Sequence, residues 1–179
     1  LGINTNIKDS ADITAETIGE FALPIVEYIR QLKPDYIIAS DRGARYLGLA
    51  VFKLYNELYG KLPTVDGTLR FRRFSTSNTK EETERHVAPL VDEMLKRKKN
   101  PTVLVLDDWV VSGSTKQLAY EVFDRLGYGR ITTKYGVLVG TGAEVSGSKE
   151  KTSGFIAATD WRDDSNIIGI RYDKNTDDN

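Results

Sequence analysis

Apolar residues recur at three-to-four spacing in four stretches of this chain, and they cluster or alternate in five shorter ones. In 14–32, TAETIGEFALPIVEYIRQL, the residues Ile18, Phe21, Ile25, Ile29 and Leu32 mark one face of a helix, with a kink expected at Pro24 and a stop at Lys33-Pro34. A second helix is expected to carry Ala44, Leu47, Val51, Leu54 and Leu58. A third should run from about Lys80 to Lys98 with Val87, Leu90, Val91, Met94 and Leu95 inward, opened by a capping box at Asn78 and Glu81 and bent by Pro89. Leu118, Ala119, Val122, Phe123 and Leu126 predict a fourth helix, closed by Gly127 as a left-handed cap.

Between these helices lie short segments rich in β-branched and apolar residues. Tyr36–Ala39, Thr68–Phe74, Thr102–Leu106, Ile131–Val139 and Asn166–Ile170 read as strands. The run TVLVL has no polar interruption, as a parallel strand buried on both faces requires, and Asp107-Asp108 are expected where it ends. Strands alternating with helices predict an α/β fold of three layers, a mostly parallel twisted sheet flanked by helices, with ligands collecting beyond the carboxyl ends of the strands. Residues 1–172 are expected to form one domain and 173–179 a disordered tail, with 140–154 as a Gly/Ser-rich surface loop.

Composition narrows the chemistry. With 40% hydrophobic residues among 179, the chain can bury one sizeable core. A formal net charge of -1 gives no global basic field, so nucleic acid is not an expected partner. The absence of cysteine excludes disulfides, thiolate metal sites and thiol nucleophiles, and the single His86 excludes a multi-histidine centre, which leaves oxygen ligands for any metal. No apolar run approaches the roughly 20 residues of a membrane helix, and the first twelve residues read as no secretory signal, so a cytoplasmic protein with no membrane partner is expected.

The segment VLVLDDWVVSGST, Val103–Thr115, concentrates the polar chemistry. An apolar strand delivers Asp107 and Asp108, and a turn through Val111, Ser112, Gly113, Ser114 and Thr115 opens a helix. Backbone amides at a glycine turn, hydroxyl side chains and a helix amino terminus favour phosphate, while adjacent carboxylates can accept hydrogen bonds from sugar hydroxyls. A P-loop would place Lys directly before Ser/Thr, and here Lys116 follows Thr115; a dinucleotide fingerprint needs three spaced glycines, and this turn has one. A D-x-D phosphatase pattern is broken by Trp109. The plain alternative is a capped strand-to-helix turn without a ligand.

All 13 positions of that segment resemble the phosphoribosyl pyrophosphate signature of type I phosphoribosyltransferases. Ser40-Asp41-Arg42-Gly43 is similar to the pyrophosphate loop of the same family, and its glycine would let the backbone approach an anion closely. The resemblance implies the family fold, with a small variable hood. It implies an enzyme that moves phosphoribose from phosphoribosyl pyrophosphate to a nucleobase and releases pyrophosphate. It also implies ribose hydroxyls on Asp107 and Asp108, the 5-phosphate on Val111–Thr115, and magnesium associated with Asp107 and Asp108 through water or substrate oxygens. A homodimer is compatible with it. The family's mobile catalytic loop would correspond to Arg70–Thr79, with Arg72 the candidate among Arg70, Arg72 and Arg73; the 19-residue helix expected after it departs from the family pattern.

The acceptor is less legible. Family members acting on 6-oxopurines carry an acid where Val111 stands, so hypoxanthine or guanine is disfavoured. Trp161, in ATDWRDDSNIIGI, and Trp109 are candidate base contacts, each also explicable as packing. His86, within a charged helix, reads as a surface or packing residue, and Lys96–Lys99 as a favourable helix carboxyl end. The alternative function is a non-catalytic relative that senses phosphoribosyl pyrophosphate or a nucleotide.

Overall fold

A computed structural model of the chain describes residues 15–75, 77–110, 113–140, 153–154, 157–159 and 171–172. The expected strand at 166–170 and the tail at 173–179 lie outside these residues, as does most of the 140–154 loop. The elements in chain order are α1 (Ala15–Leu32), β1 (Tyr36–Ser40), α2 (Arg45–Tyr59), β2 (Leu69–Arg72), α3 (Lys80–Arg97), β3 (Thr102–Val110), α4 (Ser114–Gly127) and β4 (Thr132–Gly140). The short strands β5 (Ser153–Gly154), β6 (Ala157–Thr159) and β7 (Arg171–Tyr172) follow.

Strands β2, β1, β3 and β4 lie side by side in that order and all run parallel; β5 and β6 pair antiparallel with β4, and β7 with β5. The protein is therefore α/β, with a four-stranded parallel sheet and helices on both faces. Strand alternation sorts the core into two halves. Ile37, Ala39, Leu104 and Leu106 face α1 and α2, whereas Tyr36, Ile38, Val103 and Val105 face α3 and α4 together with Tyr135 and Val137 of β4. Among the described residues no helix is long and apolar enough to cross a membrane.

Several local expectations are corrected. The acid pair does not end its strand: β3 continues through Trp109 and Val110, which pair in register with Val139 and Gly140. The capping box of α3 sits one residue later than the spacing of Asn78 and Glu81 suggested. Thr79 accepts from the Glu82 amide, and the Glu82 carboxylate accepts from the Thr79 amide. Gly127 is the last residue of α4, and Tyr128 takes the left-handed position with φ 52°. Close approach explains the glycine, because a Cβ at Gly127 would lie 2.7 Å from the Ile131 side chain. Tyr55, not Leu58, continues the buried face of α2, and Leu58 is exposed. β2 is confined to Leu69–Arg72, with the buried Phe74 beyond its end. Pro24 and Pro89 are both accommodated inside their helices.

Candidate functional site

Because β2, β1 and β3 are parallel neighbours, the segments that follow them meet along one edge of the sheet. After β1, Ser40 is buried and its carbonyl accepts from the Ala44 amide, 3.0 Å, while the Asp41 amide donates to Arg72 O, 2.8 Å. The amides of Arg42 and Gly43, between them, have no protein acceptor among the described residues. The Asp41–Arg42 peptide is cis. The Arg42 side chain is exposed and makes no ion pair among the described residues. Arg45, one helical turn on, donates twice to the Asp41 carboxylate, at 3.0 and 2.8 Å, and lies over the Phe71 ring. It orients Asp41 and neutralises its charge.

The closest link between the two motifs is Gly43 and Asp108. A Cβ at Gly43 would lie 2.3 and 2.5 Å from the two Asp108 carboxylate oxygens, so only a glycine leaves room for that carboxylate against the loop. Asp108 thus stands over the β1–α2 turn, on the face of the sheet shared with Leu104, Leu106, α1 and α2.

Asp107 points the other way. Adjacent strand residues project to opposite faces, and Asp107 follows Val103 and Val105 toward α3 and α4. It is 6% exposed. Its Oδ1 accepts from the Asp108 amide, 3.1 Å, and its Oδ2 accepts a short hydrogen bond from the Tyr135 hydroxyl. Burial pushes the Asp107 carboxyl up to about 7, and the neighbouring Asp108 charge adds to this; the Tyr135 hydrogen bond opposes it. Burial, with Asp107 alongside, likewise holds the Tyr135 phenol well above its usual range. The two acids leave β3 on opposite sides of the strand, yet their carboxyl groups stay within hydrogen-bond reach of each other, a contact that also raises Asp107. The Tyr135 partner of Asp107 lies on β4, 28 residues away.

At the third corner, Gly113 precedes α4 with φ 72° and ψ 0°, a conformation that glycine adopts without strain. Among the described residues the N-cap positions Gly113 of α4 and Ala44 of α2 make no side-chain cap hydrogen bond, whereas the capping box of α3 seals its first turn. These two helix starts follow β1 and β3, with Ser114 and Thr115 in the first turn of α4. Uncapped first-turn amides and the helix dipole favour an anion. Val111, Ser112 and Trp161 lie outside the described residues, and Trp109 is placed only by its backbone register with Val139.

The expected arginine cluster divides. Arg70 is committed to structure: it bonds Glu93 at 2.9 and 3.0 Å and Asp66 at 2.6 Å, and it covers the Tyr36 ring. Arg72 donates to its neighbour's carbonyl, Phe71 O, 2.7 Å, and neither it nor Arg73 has an acid partner among the described residues. Both line a cleft of about 550 Å³ with Asp41, Phe71, Asn78, Glu82 and His86. The place of His86 in this cleft was not legible from its charged helical surroundings.

A magnesium ion needs hard oxygen ligands. Both oxygens of Asp107 are engaged, and the described residues contain no group of three or more metal-ligating side chains. Any ion at the acid pair would meet Asp107 with one oxygen bonded to the Asp108 amide and the other to the Tyr135 hydroxyl. Comparison with models of protein families, with curated proteins and with solved structures finds no match to this chain.

Proposed function

We propose that the protein is a phosphoribosyltransferase of the type I kind, transferring phosphoribose from phosphoribosyl pyrophosphate to a nitrogenous base with release of pyrophosphate. The observation that supports this reading is the close approach of the Asp108 carboxylate to Gly43, which sets the signature segment beside the pyrophosphate-like loop. The uncapped starts of α2 and α4 on either side suit two phosphate groups separated by a sugar.

In this reading Asp108 accepts hydrogen bonds from the ribose hydroxyls, and Gly113, Ser114 and Thr115, with Val111 and Ser112, hold the 5-phosphate. Ser40, Asp41, Arg42 and Gly43 take the pyrophosphate, through the open amides of Arg42 and Gly43 and the exposed Arg42 guanidinium. Asp107 supports the strand from behind and positions Asp108 through the backbone amide they share. The glycosidic carbon gains positive charge as pyrophosphate departs, so fixing the two reactants and stabilising the leaving group dominate, and no residue need form a covalent bond. Bound magnesium would supply charge neutralisation on the pyrophosphate. Trp109 and Trp161 remain the candidates for base contact, under a hood formed by the late part of the chain.

The test is a panel of purines and pyrimidines incubated with labelled phosphoribosyl pyrophosphate and magnesium, read for pyrophosphate release. Turnover with at least one base, abolished in Asp108→Asn, is the expected result. Tight binding without turnover across the panel would assign the protein to sensing instead of catalysis.

A further inference from the structure

Tyr135 belongs to neither motif, yet it begins a chain of contacts that ends on Asp108. It lies on β4 opposite Val105 of β3, two residues short of Asp107 and on the same face of the sheet. Its ring is 1% exposed and packs beside Tyr120 of α4, with 6.5 Å between ring centroids. Packing therefore fixes the ring, and the hydroxyl at its tip donates to Asp107 Oδ2.

Asp107 has three polar neighbours. Its Oδ1 accepts from the Asp108 amide, its Oδ2 accepts from the Tyr135 hydroxyl, and the Asp108 carboxyl lies within hydrogen-bond reach. At 6% exposure, Asp107 cannot exchange a lost protein partner for bulk water. Without the phenol oxygen, Oδ2 would lose its donor, and turning toward the Asp108 carboxyl would be the way to recover one. That turn would draw the Asp108 carboxylate off its seat against Gly43. The Tyr135 hydroxyl thus keeps Asp107 from competing with a ligand for Asp108.

We infer that Tyr135 is a positioning residue that sets sugar specificity: by holding Asp107, it fixes the Asp108 carboxylate where it selects a 5-phosphorylated ribose over the 2-deoxy sugar. The inference rests on the sugar-phosphate reading of the site and adds to it a residue of β4 that acts without touching the ligand. An acceptor carboxylate discriminates between the two sugars because only a hydroxyl can donate to it.

Tyr135→Phe keeps the ring and removes one oxygen. Calorimetric titration of the full chain with ribose 5-phosphate and with 2-deoxyribose 5-phosphate tests the role. The parent should prefer the ribose by roughly tenfold or more, the worth of a hydrogen bond to a charged group. In Tyr135→Phe the preference should fall to within about twofold as that bond is lost, with the affinity for the deoxy sugar little changed. Damaged packing alone would weaken both sugars together. Tyr36→Phe is the control: it deletes a hydroxyl buried in the same half of the core without a hydrogen-bond partner among the described residues, and it should keep the parent's preference. Thermal melting checks that both variants fold. An undiminished preference in Tyr135→Phe, or a parallel loss of both sugars, overturns the positioning role and leaves the sugar-phosphate reading standing. Equal binding of the two sugars by the parent, or binding of neither, removes that reading and the role with it.

Discussion

Replacing Asp107 with Asn should flatten the dependence of stability on pH and make the protein more stable than its parent in mild alkali. In the folded chain burial holds this carboxyl at about 7, against an ordinary value of 3.8. The folded state therefore carries a proton that the unfolded state has released over that interval, and stability falls as pH rises from about 4 to about 7, then levels off. The whole difference corresponds to about 4 kcal/mol. At 6% exposure little solvent reaches the group to screen the effect. An asparagine reproduces the protonated acid: its Oδ1 can accept from the Asp108 amide, and its Nδ2 can donate to the Tyr135 hydroxyl oxygen. Urea denaturation of both proteins at intervals from pH 4 to pH 8.5 measures this. The curves should lie close together near pH 4.5 and diverge above it, with the variant higher by up to about 4 kcal/mol at pH 8. Parallel curves would refute the claim that burial of Asp107 governs this carboxyl.

Gly43→Ala should leave the fold standing but disable the pocket: the intruding Cβ meets the Asp108 carboxylate, which can swing aside, so the melting temperature should change by only a few degrees while ribose 5-phosphate binding measured by calorimetry disappears. Thr79→Ala removes one half of the capping box on α3 and should cost about 1 kcal/mol in chemical denaturation, with no requirement that ligand binding change. Arg70→Ala and Arg72→Ala should differ in kind. The first breaks the partly buried bonds to Asp66 and Glu93 and should lower stability by about 2 kcal/mol in urea; the second should leave stability within about 0.5 kcal/mol and weaken pyrophosphate binding.

The helices and the parallel strands were legible because hydrophobic periodicity reports burial directly. Leu104 and Leu106 on one face of β3, and Val103 and Val105 on the other, show why that run had to be apolar throughout. The details that failed are those decided by a single backbone step or by distant partners. Asn78 and Thr79 are both good caps with a glutamate three residues on, Glu81 and Glu82, so spacing alone does not choose between them. Gly127 and Tyr128 compete for the left-handed position, and contact with Ile131 keeps the glycine in the helix. At the site, residue types suggested phosphate and sugar, but not the partners of the two acids. Tyr135, which holds Asp107, and Gly43, which receives Asp108, come into place only through the pairing of β3 with β1 and β4.

In the proposed site Asp108, against Gly43, receives the phosphorylated ribose, and Asp107 acts through its bond to the Asp108 amide. Calorimetric titration of the parent chain, Asp107→Asn and Asp108→Asn with phosphoribosyl pyrophosphate and magnesium tests it most directly. Binding should persist within a few-fold in Asp107→Asn and vanish in Asp108→Asn. Equal losses in both variants, or no binding to the parent chain, would contradict it.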